Sequence, residues 1–188
     1  MPTIQSIPER ESRFRTIVES TESDILAYAL RRVSRPEDAA DVVSETYLVA
    51  WRRIEEVPEG EAARLWLFGV ARRQLANLRR GQDRQRNLSE RLRGELVAAM
   101  PAEPGSSDRE VEIIEAMARL SDDDREILTL HAWEDLGPSE IARVMGLRRP
   151  TTRSRLHRAM KRLRNELGEA DSRVPAGSAP NSNPEAES

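Results

Sequence analysis

Gly137-Pro-Ser-Glu-Ile-Ala-Arg-Val-Met-Gly146, followed by Leu147 and a long basic run to Leu167, decides the fold of the C-terminal half. Ile141, Ala142 and Met145 recur at helical spacing and give a first helix its buried stripe. Pro138 suits that helix's first turn, Gly146 permits a tight turn, and Leu147 plugs the junction. In the run that follows, Leu156, Ala159, Met160, Leu163 and Leu167 fall on one side of a helical wheel. Thr151, Ser154, Arg155, Arg158, Lys161 and Arg162 lie around the other side, with Arg153 and His157 flanking them. The spacing predicts a helix-turn-helix over 138–145 and 149–167. Its second helix is cationic outward and carries short hydroxyls near its N-terminal end, which suits the major groove of duplex DNA. Arginine reads guanine edges there, while Thr and Ser contact phosphates or bases. A solvated surface helix of a bundle is the plainer reading of the same spacing.

Working outward, helices are expected at 109–119 and 122–133, started by Asp108 and Ser121. Asp122, Asp123 and Asp124 could be imagined as a carboxylate metal site, but the favoured reading is the positive end of a helix capped by Ser121. Met100-Pro-Ala-Glu-Pro-Gly-Ser-Ser-Asp108 has the composition of a flexible linker. From Gly168 onward the chain is rich in Pro, Ser, Gly and Asn and is expected to be disordered.

In the N-terminal half, residues 1–22 are polar and weakly periodic, and a helix is expected over 24–33 with Ile25, Leu26, Ala29, Leu30 and Val33 on one face. Ser34-Arg-Pro-Glu37 fits a capping box, with Ser34 as N-cap, opening a helix that runs to about Ile54. On that helix Ala39, Val43, Tyr47, Ala50 and Ile54 cluster for burial, and Asp41, Ser44, Glu45, Leu48 and Arg52 line the opposite side. Leu48, apolar amid carboxylates, marks either a docking surface for a basic partner or a single exposed leucine. After the break at Val57-Pro-Glu-Gly60, a helix is expected from Ala62 to Arg80, ended by Gly81. Leu67, Phe68, Ala71, Leu75 and Leu78 form its core side, leaving Trp66, Arg73, Asn77 and Arg80 as an outer strip. Trp66 among arginines is either a stacking platform for single-stranded bases or a residue packed sideways on the preceding helix.

The chain is acidic overall, with a formal net charge of -3, yet its cations are blocked. Over 62–94 nine arginines stand against Asp83 and Glu90, and over 136–167 nine cations stand against Glu140 and Glu166, a net of about +7 in each block. Two basic blocks separated by acidic stretches point to two polyanion contacts. Aromatic residues are 4% and charged residues 34% of the 188 positions, and the apolar positions follow helical spacing, so the class is all-α. With no cysteine and only His131 and His157 as imidazoles, neither a disulfide nor a histidine–thiolate metal site is expected, and no cofactor is expected. The N-terminus lacks an apolar signal core and no apolar run approaches the roughly 20 residues of a membrane span, so no membrane insertion and a cytoplasmic location are expected. No phosphate-cradling glycine loop or nucleophile elbow appears, so an enzyme is not expected.

The two constellations together resemble the extracytoplasmic-function (ECF) sigma factors, a bacterial group that keeps the second and fourth conserved sigma regions. Arg35-Pro-Glu-Asp-Ala-Ala-Asp-Val-Val-Ser-Glu-Thr-Tyr-Leu-Val-Ala-Trp51 is similar to their polymerase-binding helix, and Ala63-Arg-Leu-Trp-Leu-Phe-Gly-Val-Ala-Arg72 to the start of their promoter-melting helix. Leu120-Ser121, Arg125-Glu126, Glu140-Ile-Ala142, Gly146 and Ser154-Arg-Leu-His-Arg158 resemble the fourth region. The resemblance implies two small helical domains joined by a flexible linker. A polar segment with the start of the first helix occupies 1–22, a region-two-like domain 12–94, the linker 95–108, a region-four-like helix-turn-helix domain 109–167, and a tail 168–188.

It further implies that Asp41, Ser44, Glu45, Leu48 and Arg52 meet the clamp helices of the largest subunit of core RNA polymerase, with the fourth region near the flap of the second-largest subunit. The loop from Glu56 to Glu61 and the strip of Trp66, Arg73, Asn77 and Arg80 would engage the downstream promoter element. Arg148, Arg149, Thr151, Arg153, Ser154, Arg155, His157, Arg158 and Lys161 would face the upstream element, and an anti-sigma factor joins the expected partners. Ser44 stands where the family usually has Gln, Arg73 where Asn is common, and Asn77 where Asp is common. Arg148-Arg-Pro150 replaces the usual Ser-Val-Gly opening of the recognition helix. An operator-binding helix-turn-helix dimer and a pure protein-interaction module are the alternatives to this reading.

Overall fold

The computed structural model describes residues 7–90 and 108–171. The expected linker up to residue 107 and the tail from 172 lie outside the described residues. The helices are α1 (Ile7–Leu30), α2 (Pro36–Arg52), α3 (Glu61–Glu90), α4 (Asp108–Arg119), α5 (Asp122–Ala132), α6 (Pro138–Met145) and α7 (Arg149–Asp171), with a 3-10 turn at Ile54–Glu56. No strand occurs among the described residues.

α1 begins far earlier than its composition predicts. Phe14, Ile17, Val18, Thr21, Ile25 and Tyr28 form its inner stripe, and the expected Leu26 and Leu30 are 39% and 45% exposed. Thr21 hides the period, because a threonine reads as polar. Its hydroxyl lies 2.6 Å from the Ile17 carbonyl and 2.9 Å from the Tyr47 hydroxyl, which offsets the cost of burying it.

α2 opens without the expected Ser34 cap. The residue before a proline is driven to extended backbone, and an N-cap is itself extended, so Arg35 (φ -124°, ψ 130°) takes that place ahead of Pro36. The Arg35 carbonyl accepts from Asp38 N–H at 3.1 Å. α3 likewise runs through Gly81 to Glu90 rather than stopping. Gly81 has space around it and no positive φ, and Gln82 donates to Asp38 of α2 at 3.0 Å, so a glycine costing about 1 kcal/mol is carried inside the helix.

The C-terminal helices follow the expected signals. Ser121 Oγ accepts from Asp124 N–H at 3.2 Å, and Glu140 accepts from the Gly137 N–H at 2.8 Å. Gly146, at φ 67°, ends α6 in the left-handed conformation, and Leu147 N–H reaches back to the Ala142 carbonyl at 2.9 Å. α4, α5 and α6 each pack on α7, α1, α2 and α3 pack on one another, and α6 packs on α3. One apolar cluster therefore runs through both halves, from Ile17 to Ala159. At the α3–α6 crossing a Cβ on Gly69 would stand 3.5 Å from the Val144 carbonyl oxygen, an ordinary contact distance, so the backbone of α6 lies directly over this position of α3.

Candidate nucleic-acid interface

α7 turns Thr152, Leu156 and Ala159 into the core, with Met160, Leu163 and Leu167 partly buried along the same side. Thr152 is fully buried, and its hydroxyl donates to the Arg148 carbonyl at 3.2 Å, closing the first turn of a helix that lacks a conventional cap. Arg148, Arg149, Thr151, Arg153, Ser154, His157, Arg158 and Lys161 are all exposed. Their common side is cationic, as the wheel predicts.

Arg155 differs from its neighbours. It is half-buried and ion-paired to Asp123 at 3.3 Å, and Arg162 pairs with Asp124. Two of the three carboxylates in the first turn of α5 are thereby paired with α7, and Asp122 pairs with Arg125 of α5 itself. Among the described residues no group of three or more His, Asp or Glu side chains is placed to hold a metal.

On α3, Arg73, Asn77 and Arg80 are exposed in one strip, with the Arg80 guanidinium hydrogen-bonded to the Asn77 side-chain carbonyl. Trp66 is half-buried against the core, and the Arg53 guanidinium lies 5.7 Å from its ring centroid. Trp66 thus packs on the core and keeps a cationic neighbour. The loop before α3 forms one wall of a cleft of about 670 Å³ whose other wall is α1, lined by Thr16, Ser20, Asp24, Pro58, Gly60 and Arg64. The α1 wall went unread because that stretch carries no charge cluster or motif.

α2 presents Asp41, Ser44, Glu45, Leu48 and Arg52 together on its outer face. Leu48 is 38% exposed among them. Their placement on one unobstructed surface follows from burial of Ala39, Val42, Thr46, Tyr47 and Ala50 on the other side.

Residues 17–85 match the family described as Sigma-70 region 2, and residues 110–163 match Sigma-70, region 4. The chain is 34% identical over 145 residues to the ECF RNA polymerase sigma factor SigL of Mycobacterium tuberculosis, across 76% of this chain and 81% of that protein. The chain belongs to the ECF RNA polymerase sigma factors. It is also similar to RNA polymerase sigma factor SigV of Bacillus subtilis, 26% identical over 83% of this chain and 92% of that one. Among solved structures, the sigma factor RpoE of Bartonella quintana, in complex with the anti-sigma factor NepR, matches with a TM-score of 0.63 and 28% identity, over 82% of this sigma factor and 96% of that chain. As a sigma factor, the protein binds core RNA polymerase and directs promoter-specific initiation of transcription. No helix among its described residues is long and apolar enough to cross a membrane.

Proposed function

We propose that the protein divides promoter recognition between two faces and polymerase binding to a third. The cationic side of α7, with Arg148, Arg149, Thr151, Arg153, Ser154, Arg155, His157, Arg158 and Lys161, contacts the upstream duplex element. Positioning comes from phosphate contacts and specificity from arginine at base edges. The strip of Trp66, Arg73, Asn77 and Arg80, with the loop before α3, engages the downstream element as it opens, where stacking and cationic contacts suit single strands. Asp41, Ser44, Glu45, Leu48 and Arg52 dock on the clamp helices of the largest polymerase subunit, and the region-four-like half lies against the flap of the second-largest subunit.

The observation that supports this reading is that each set, the half-buried Trp66 and Arg155 apart, is exposed on its own face while the helix behind it is fixed in one core. The corresponding domains are 12–94 and 109–167, joined by a linker over 95–108 whose roughly 15 residues reach about 50 Å when extended. The polymerase supplies the chemistry, and the protein acts in the cytoplasm. An anti-sigma partner belongs to the proposal because the Bartonella relative is held by one.

Reconstituted transcription tests it. Core polymerase is presented with a genomic fragment library, with and without this protein, and transcript starts are mapped. Discrete new starts sharing two spaced upstream elements are expected. Binding of the protein to DNA with no new starts would overturn the reading.

A further inference from the structure

The loop from Glu56 to Glu61 has little hydrogen bonding of its own. Pro58 has no N–H, Glu59 and Gly60 are exposed, and Val57, the residue before the proline, is in extended backbone (φ -69°, ψ 123°). The Val57 N–H donates to the Ile54 carbonyl at 3.3 Å, and the Gly60 carbonyl accepts from Ala63 N–H at 2.9 Å, so the 3-10 turn and α3 hold the two ends. The Val57 carbonyl is held from elsewhere. Arg13 of α1 donates to it through Nη2 at 2.5 Å, across 44 residues of chain. Val57 is buried, so water has little access to replace that donor.

Arg13 is half-buried and has no carboxylate partner among the described ion pairs, so its guanidinium serves this backbone oxygen. The turn of α1 that carries it is packed on the end of α2. Phe14 stands edge-on to Trp51 at 5.3 Å and to Tyr47 at 6.2 Å, and the Arg10 guanidinium lies 5.5 Å from the Trp51 ring centroid. From that footing Arg13 lines the α1 wall of the cleft beneath the loop.

We propose that Arg13 is a positioning residue for selectivity at the downstream promoter element. By fixing the Val57–Pro58 peptide it sets the path of the loop over the cleft, and with it the geometry in which the loop meets the opened strand. The inference rests on the reading of that loop as part of the downstream-element face. Contacts that choose among bases need their support held to about 0.5 Å. A guanidinium–carbonyl bond is charge-assisted and stronger than a neutral one, which suits a tether on a loop with so few other bonds.

The full chain with core polymerase is tested on one promoter taken from the mapped starts and on its single-base variants across the downstream element. Transcript yield per template, the salt dependence of promoter binding and thermal unfolding of the chain are measured. Arg13→Met keeps the apolar stem and removes the donor, Arg13→Gln is neutral and too short to reach, and Arg13→Lys keeps the charge and a donor. Gly60 has φ 60°, so Gly60→Ala strains the other end of the loop without touching α1. Arg15→Met, at an exposed position of α1, controls for loss of a cation.

The wild type is expected to prefer its own base by about tenfold at the discriminated positions. Both neutral Arg13 variants and Gly60→Ala are expected to compress those ratios to within about threefold, Arg13→Lys to restore most of the preference, and Arg15→Met to leave it unchanged. A loss of yield that is uniform across templates, the mark of a folding defect, overturns the proposal. So does a salt slope lowered by about 1 with the ratios kept, the mark of a phosphate contact. A wild type indifferent to every downstream base sinks the reading of the loop, and this proposal with it. Compression by Gly60→Ala with wild-type ratios in both neutral Arg13 variants sinks the tether alone.

Discussion

The Tyr28 hydroxyl donates a 2.7 Å hydrogen bond to Glu126, joining α1 to α5 across 98 residues of chain. Tyr28 is fully buried, its ring tilted against Phe68 at 5.0 Å, with the Arg32 guanidinium 3.5 Å from its centroid. Burial, and then the Glu126 charge, push its hydroxyl well above the ordinary tyrosine range, while Arg32 acts in the opposite direction.

The folded chain therefore holds the Tyr28 proton where an unfolded tyrosine, with a value of about 10, begins to lose it. The folded state then binds more protons than the unfolded state, so stability falls as pH rises past about 10. Tyr28→Phe removes that part of the alkaline slope, leaving a remainder from Tyr47, which burial also raises. At neutral pH the same substitution costs about 1.5–3 kcal/mol, the value of a hydrogen bond to a charged group. Urea denaturation at several pH values checks both effects, and identical slopes for the two proteins would contradict the assignment.

Glu134 tests the buried charges. Its carboxylate holds Arg31 at 2.6 Å and Arg32 at 3.1 Å while itself 2% exposed. Stripping a buried pair costs about 3–5 kcal/mol, and Glu126 still faces Arg32, so Glu134→Gln is expected to lose at least about 2 kcal/mol. A loss within about 0.5 kcal/mol, the range of an ordinary surface change, would show that the cluster is not desolvated in solution.

These two clusters also show where sequence reading stops. Ser121, Gly137 and Gly146 announce α5 and α6 because a cap or a left-handed turn is a local event, decided by residues within a few positions. The exposed faces of α2 and α7 were legible for the same reason: helical spacing fixes what shares a side. Arg32 carries no such mark. It reads as a surface charge at a helix end, and only partners at positions 126 and 134 make it a buried one. Leu26 and Leu30 were expected inside on the strength of their apolar character, but the period set by Ile17, Thr21, Ile25 and Tyr28 turns them outward. Gly81 misled because a glycine ends a helix only when the backbone turns left-handed there, and nothing local required it to.

Salt dependence distinguishes contacts on α7. Arg153 and Arg158 are exposed without a carboxylate partner among the described ion pairs, so each is expected to neutralise a phosphate or read a base. Arg153→Ala as a phosphate contact lowers the slope of log affinity against log salt by about 1 and weakens all promoter sequences alike. Removal of a base contact instead costs about 1–3 kcal/mol at one position of the upstream element. Filter-binding titrations over a salt series separate the two, and an unchanged slope with unchanged specificity would exclude Arg153 from the interface.

The most direct measurement is a separation of tasks between α2 and α7. Asp41→Arg/Glu45→Arg and Arg153→Ala/Arg158→Ala all lie at exposed positions and leave the core intact. Binding to core polymerase is measured by co-elution, and upstream recognition by footprinting of the assembled holoenzyme and by duplex binding of the chain alone. The account predicts that the α2 variant loses polymerase and keeps duplex affinity, whereas the α7 variant keeps polymerase and loses the upstream footprint. Loss of both activities in either folded variant, or retention of both, would contradict it.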